Sequence, residues 1–189
     1  KINPKLSEAH FNLGNTFHKN GDIINSIDSY NNAINIKPDS PEYHFNLGTT
    51  LQEKGDLLYA IYYFQEAIKL NKNFPEAYNN LGNTFLQKGE IDKAIKSYNK
   101  AIEIKPIYAE AYNNLGNALR LEGDLVNAIS ACEKALKYRN NYSEAYLNLA
   151  NIYKDNNDIS NAIKYYSLAL KHKPNFAEAY NNMGQILME

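Results

Sequence analysis

Apolar residues along this chain fall into two helical registers that alternate and repeat. After Pro75, Tyr78, Leu81 and Phe85 recur at spacings of three and four, with Gly82 among them, as on one face of a helix. Gly89 interrupts the pattern. A second stripe follows at Ile91, Ile95, Tyr98 and Ile102, with small residues Ala94 and Ala101 beside it. The pattern predicts helix, turn, helix. It returns every 34 residues: Leu13, Leu47, Leu81, Leu115, Leu149 and Met183 hold one place in it.

Repeats are numbered here from the Ser, Pro or Ala that precedes a recurring Glu. They run over 7–40, 41–74, 75–108, 109–142 and 143–176, and 177–189 is the first helix of a sixth. Residues 1–6 read as the tail of an earlier repeat, because Ile2-Asn3-Pro4 matches Ile36-Lys37-Pro38. Glu8, Glu42, Glu76, Glu110, Glu144 and Glu178 sit at position 2, where an anion suits the helix dipole. Gly21, Gly55, Gly89 and Gly123 close the first helix at position 15, with Asn157 in the fifth repeat; these residues tolerate a left-handed cap. The acidic residue that follows is placed to cap the second helix. Pro38, Pro106 and Pro174 end it.

This 34-residue period, with Leu-Gly at 7 and 8, aromatics at 11 and 24, Ala at 20 and 27 and Pro at 32, resembles the tetratricopeptide repeat (TPR) over essentially the whole chain. The resemblance implies an all-α, right-handed superhelical solenoid of antiparallel helix pairs, forming one domain with first helices on the concave face. Departures are local: Tyr or His stands at position 4 where the family often has Trp, Ser26 replaces an Ala, and Cys132 replaces an aromatic.

Asn, a mediocre helix former, recurs inside the first helices as "AYNNLGN" at Ala77 and Ala111 and "AYNNMGQ" at Ala179. At 100° per residue, positions 4, 7, 8 and 11 span about 340° to 80°, while 2, 6, 9 and 13 lie at roughly 180° to 240°, on the opposite side. Position 6 is Asn in every repeat: Asn12, Asn46, Asn80, Asn114, Asn148 and Asn182. Position 9 holds Asn15, Thr49, Asn83, Asn117, Asn151 and Gln185, and position 5 adds Asn79, Asn113 and Asn181. The expectation is that these amides point away from the packed stripe. A primary amide offers two donors and a two-lone-pair acceptor, so a column of them can hold an extended or disordered protein segment by its main chain. The column is similar to the asparagine ladder of the O-linked N-acetylglucosamine transferases, where it implies substrate capture for a separate catalytic domain.

Three other readings stand beside this one. Asn makes up 29 of 189 residues, so duplication alone could carry it from repeat to repeat. The chain could be the substrate-recruiting segment of a larger glycosyltransferase, or a scaffold that self-associates end to end through apolar residues such as Met183 and Leu187. A carboxylate clamp for acidic tails lacks its cations, since position 2 is Glu and position 5 is Phe, Asn or Leu. Arg120, Lys154 and His18, at position 12, would favour acidic guest residues.

Composition narrows the field. A net charge of −1 argues against a nucleic-acid partner, and no apolar run approaches membrane-spanning length. The lone Cys132 excludes an internal disulfide framework and is compatible with a reducing, cytoplasmic compartment. His10 and His44 lie on the buried stripe of separate repeats, so no metal site is expected, and no catalytic or cofactor motif emerges. The chain reads as non-enzymatic.

Overall fold

The structure, a computed structural model, describes residues 4–188, and eleven α-helices account for nearly all of them. Their contacts divide the chain into two units, Lys1–Ile104 and Lys105–Glu189. The first contains α1 (Pro4–Lys19), α2 (Ile23–Ile36), α3 (Pro41–Lys54), α4 (Leu57–Leu70), α5 (Pro75–Gln87) and α6 (Ile91–Ile104). The second contains α7 (Ala109–Glu122), α8 (Leu125–Tyr138), α9 (Ser143–Asp155), α10 (Ile159–His172) and α11 (Ala177–Met188). Odd-numbered helices are the first helices of the repeats. α1, α3, α5, α7 and α9 each pair with the helix that follows, α11 packs on α10, and first helices also touch at α1–α3 and α3–α5 in one unit and α7–α9 in the other.

The turns follow local chemistry. Gly55 and Gly123 take φ of 90° and 94°, a left-handed conformation that costs glycine nothing, and their N–H groups return to the last helical turn. Asn157 adopts φ 60° in the fifth repeat, the conformation Asn tolerates best after Gly. Asp22, Asp124 and Asp158 then cap α2, α8 and α10, accepting from the backbone N–H of Asn25, Asn127 and Asn161.

At the N-terminus, Pro4–Leu6 form the opening turn of α1 instead of a loop. Proline fits a first helical turn because its missing N–H would have no partner there. The rest of the expected repeat tail, Lys1–Asn3, lies outside the described residues.

Within each unit the core sits between paired helices. Small residues at positions 20 and 27, Ala60, Ala67, Ala94 and Ala101 in the first unit and Ala128, Ala135, Ala162 and Ala169 in the second, are completely buried. They let the position-24 side chain of the second helix reach the first. Tyr30, Phe64 and Tyr98 lie over Gly14, Gly48 and Gly82, where an added Cβ would stand 2.6, 3.0 and 2.6 Å from a ring carbon. Burying such a ring contributes about 1.5–3 kcal/mol. Cys132 occupies the same place over Gly116 in the second unit, where burial pushes its thiol pKa up to about 12.

Candidate functional site

The first helices carry the candidate side chains. Asn46, Asn80, Asn114, Asn148 and Asn182 are half-buried and Asn12 is exposed. These amides are not independent of the protein, as the wheel alone would have them. Asn46 Nδ2 donates to Asn15 Oδ1 at 3.1 Å, and Asn80 Nδ2 lies 3.4 Å from Thr49 Oγ1, both in the first unit. In the second unit, Asn182 donates to Asn151 Oδ1 at 3.0 Å and Asn148 to Asn113 Oδ1 at 2.8 Å. These four position-6 amides thus reach back to the first helix of the preceding repeat. One N–H is committed; the valency of a primary amide leaves a second N–H and an oxygen.

Position 9 has a different duty. Tyr30 donates its hydroxyl to Asn15 Oδ1 at 2.7 Å, Tyr98 to Asn83 at 2.8 Å and Tyr166 to Asn151 at 2.6 Å. A phenol at position 24 is buried and needs an acceptor, and the amide 15 residues earlier supplies it. Burial keeps these phenols protonated; that of Tyr166 is pushed up to about 12. Phe64 has no hydroxyl, and its repeat carries Thr49 in place of Asn. Cys132 has none either, and Asn117 Oδ1 instead lies 3.4 Å from Arg120 Nη2. Tyr98, Tyr30 and Tyr166 therefore belong to the site as well as to the core. The matched pairs Tyr with Asn and Phe with Thr were the signal available in the sequence.

Several expected orientations need correction. Asn79 and Asn113, at position 5, are 5% and 6% exposed, and Asn151 is 8% exposed, so their amides face protein rather than the open surface. Where position 5 is Phe the ring packs: Phe11 stacks on Tyr43 at 4.6 Å and Phe45 lies 4.9 Å from Phe74. Arg120 is held by Asp155 at 2.7 Å and His18 by Glu53 at 2.9 Å, so neither waits for an acidic guest. Both pairs join position 12 of one first helix to position 13 of the next, and Gln52 and Gln87 meet the same way.

Two position-2 acids of the second unit are also partnered. Glu110 pairs with Arg139, and Glu144 with Lys173 at 3.0 Å. Partial burial would raise the Glu144 pKa, but the Lys173 ammonium, a backbone hydrogen bond and the nearby Arg139 charge together hold it below the ordinary carboxylate value. Each cation also lies over the ring that ends its repeat, Arg139 over Tyr142 at 4.7 Å and Lys173 over Phe176 at 4.2 Å. The position-2 charge is therefore locally neutralised at Glu110 and Glu144.

In the first unit, a cavity of about 180 Å³ is lined by Asn15, His18, Lys19, Tyr30, Asn46 and Thr49. It brings together members of all three positions, 6, 9 and 24. Among the described residues no cluster of His, Cys, Asp and Glu is arranged to hold a metal ion, and no helix is long and apolar enough to cross a membrane. His44 is buried, stacked 5.9 Å from Tyr63, and its Nε2 donates to the Pro38 carbonyl.

Tandem helix hairpins with small residues at their crossings and an amide-bearing first helix define an α-helical repeat protein. Residues 17–55, 51–89 and 82–123 match the family model "TPR repeat" and 119–186 the model "Tetratricopeptide repeat", so the chain belongs to the tetratricopeptide repeat family. Among solved structures it is similar to the MamA protein, at 26% identity over 92% of this chain and 95% of that one, with a TM-score of 0.78. It shares its fold with YrrB, described as a TPR protein with an unusual peptide-binding site, at 17% identity, 93% and 90% coverage and a TM-score of 0.74. It likewise matches a chain of the APC/C hetero-tetramer Cut9-Hcn1 at 23% identity and a TM-score of 0.85, covering 98% of this chain and 37% of that one. No curated protein sequence matches it.

Proposed function

We propose that this chain is a non-enzymatic interaction module that holds an extended protein segment by its main chain, using the position-6 asparagines Asn12, Asn46, Asn80, Asn114, Asn148 and Asn182. The observation that carries the reading is the recurrence of Asn at this one position of every first helix, with Asn46, Asn80, Asn148 and Asn182 oriented by the preceding repeat. Orientation matters because a pre-set amide loses less freedom when it bonds a guest. The remaining N–H and oxygen of such an amide complement one peptide unit, which presents one acceptor and one donor. Asn15, Asn83, Asn117 and Asn151 act in this reading as supports rather than contacts, as do the buried Asn79 and Asn113. A peptide-binding site on the similar YrrB fold supports a role of this kind.

The test replaces Asn80, Asn114 and Asn148 together by Ala and measures capture on an array of unstructured peptides. At about 0.5–1.5 kcal/mol net for each hydrogen bond, three rungs correspond to a loss of at least about tenfold in affinity. Circular dichroism should show unchanged helicity. Undiminished capture by a folded variant refutes the proposal.

A further inference from the structure

Position-6 amides choose different acceptors in different repeats, and the choice follows the residue buried at position 24. In the first and fifth repeats that residue is Tyr, its hydroxyl anchors the position-9 amide, and the Asn of the following repeat docks on the same oxygen. Tyr30 and Asn46 converge on Asn15 Oδ1 at 2.7 and 3.1 Å. Tyr166 and Asn182 converge on Asn151 Oδ1 at 2.6 and 3.0 Å. Phe64 breaks this pattern conservatively: Thr49 supplies a hydroxyl acceptor for Asn80 and anchors itself on the Phe45 carbonyl at 3.1 Å. Cys132 breaks it outright. With no phenol, Asn117 turns to Arg120, and Asn148 abandons position 9 for Asn113 at position 5.

We infer that the buried hydroxyls of Tyr30 and Tyr166 are positioning residues for the ladder, and that Cys132 imposes a change of rung at Asn148. A hydroxyl donor occupies one lone pair of the position-9 oxygen and fixes the plane of that amide. The second lone pair then has one direction, and the next Asn must orient its carboxamide along it. The atoms that Asn46 and Asn182 have left to present are set by a side chain in the core. Asn148, drawn to position 5, presents its remaining N–H and oxygen from a different place. Within the second unit, a guest main chain held at Asn182 therefore meets a different geometry at Asn148. This last consequence rests on the peptide-binding reading; the positioning itself does not.

The test uses the full chain with isotope-labelled side-chain amides. In Tyr30→Phe the two Asn46 carboxamide proton resonances should lose their hydrogen-bonded separation and exchange with solvent several-fold faster. Tyr30→Phe combined with Asn15→Thr, which copies the Phe64 and Thr49 pair, should restore them. Cys132→Tyr should move the Asn148 resonances, because Gly116 leaves room for a ring as Gly14 and Gly82 do. Asn46 signals unmoved in Tyr30→Phe, or Asn148 signals unmoved in a folded Cys132→Tyr, would overturn the inference. Binding of a capped Gly/Ala/Ser dodecapeptide, followed in the same spectra, separates the two ideas. Amide signals that respond as described in a protein that ignores this peptide count against the proposed function and leave the positioning role standing.

Discussion

Gly82 and Asn83 show two kinds of constraint in adjacent residues. Gly82 has an ordinary helical backbone, but a Cβ there would come within 2.6 Å of the Tyr98 ring. The ring cannot move aside, since it is fully buried and its hydroxyl is bonded to Asn83. Gly82→Ala is expected to lower stability by about 1–2 kcal/mol, an overpacking cost partly offset by the better helix propensity of Ala. Gly184 is the contrast: nothing lies within 4 Å of an added Cβ, so Gly184→Ala should stabilise by up to about 1 kcal/mol. Urea unfolding of the two variants checks both signs, and two losses of similar size would mean that ring contact is not what selects glycine. The same logic explains why position 6 and position 9 differ although both read as Asn. One was legible as an outward amide; the other is the acceptor for a phenol, which only the meeting of two helices reveals.

Among the elements, the second helices depend on acidic caps with unequal chemistry. Asp158 accepts from the Asn161 side chain at 2.7 Å and from its backbone N–H at 3.1 Å, and these bonds hold its pKa below the ordinary carboxylate value. Asp124 does the same with Asn127. Asp56, by contrast, pairs with Lys54 and makes no cap bond. A carboxylate depressed in the folded state adds stability above its unfolded pKa, and that contribution disappears as pH falls through the folded value. The wild-type urea midpoint should therefore drop between about pH 5 and pH 2. Asp158→Ala should start lower at pH 7 and fall less steeply; an acid limb parallel to wild type would exclude the cap as its cause. α4 departs from the amphipathic expectation in leaving Leu58, Tyr59 and Tyr62 exposed, and nothing in the structure explains it.

At the scale of the whole molecule, contacts inside each unit are local: helices pack on their chain neighbours, and first helices also meet at α1–α3, α3–α5 and α7–α9. Stability in such a chain is close to a sum of repeat terms and neighbour terms. A defect should then stay near its origin. In Gly82→Ala, amide hydrogen exchange is expected to accelerate in α5 and α6 while α9 and α10 keep wild-type protection. Uniform acceleration along all helices would show global cooperativity instead.

Spacing, glycine placement and the alternation of apolar stripes determined the helices, their pairing and the residues at each crossing, because backbone geometry turns period directly into face. The sequence also put Asn on the face away from the core at position 6. Tertiary structure decided what those amides do to one another. Hydrogen bonding is directional and needs two atoms within about 3 Å, and the partners lie 15, 31 or 35 residues apart on different helices. A helical wheel assigns a direction from the axis; it does not say which oxygen stands at the end of it.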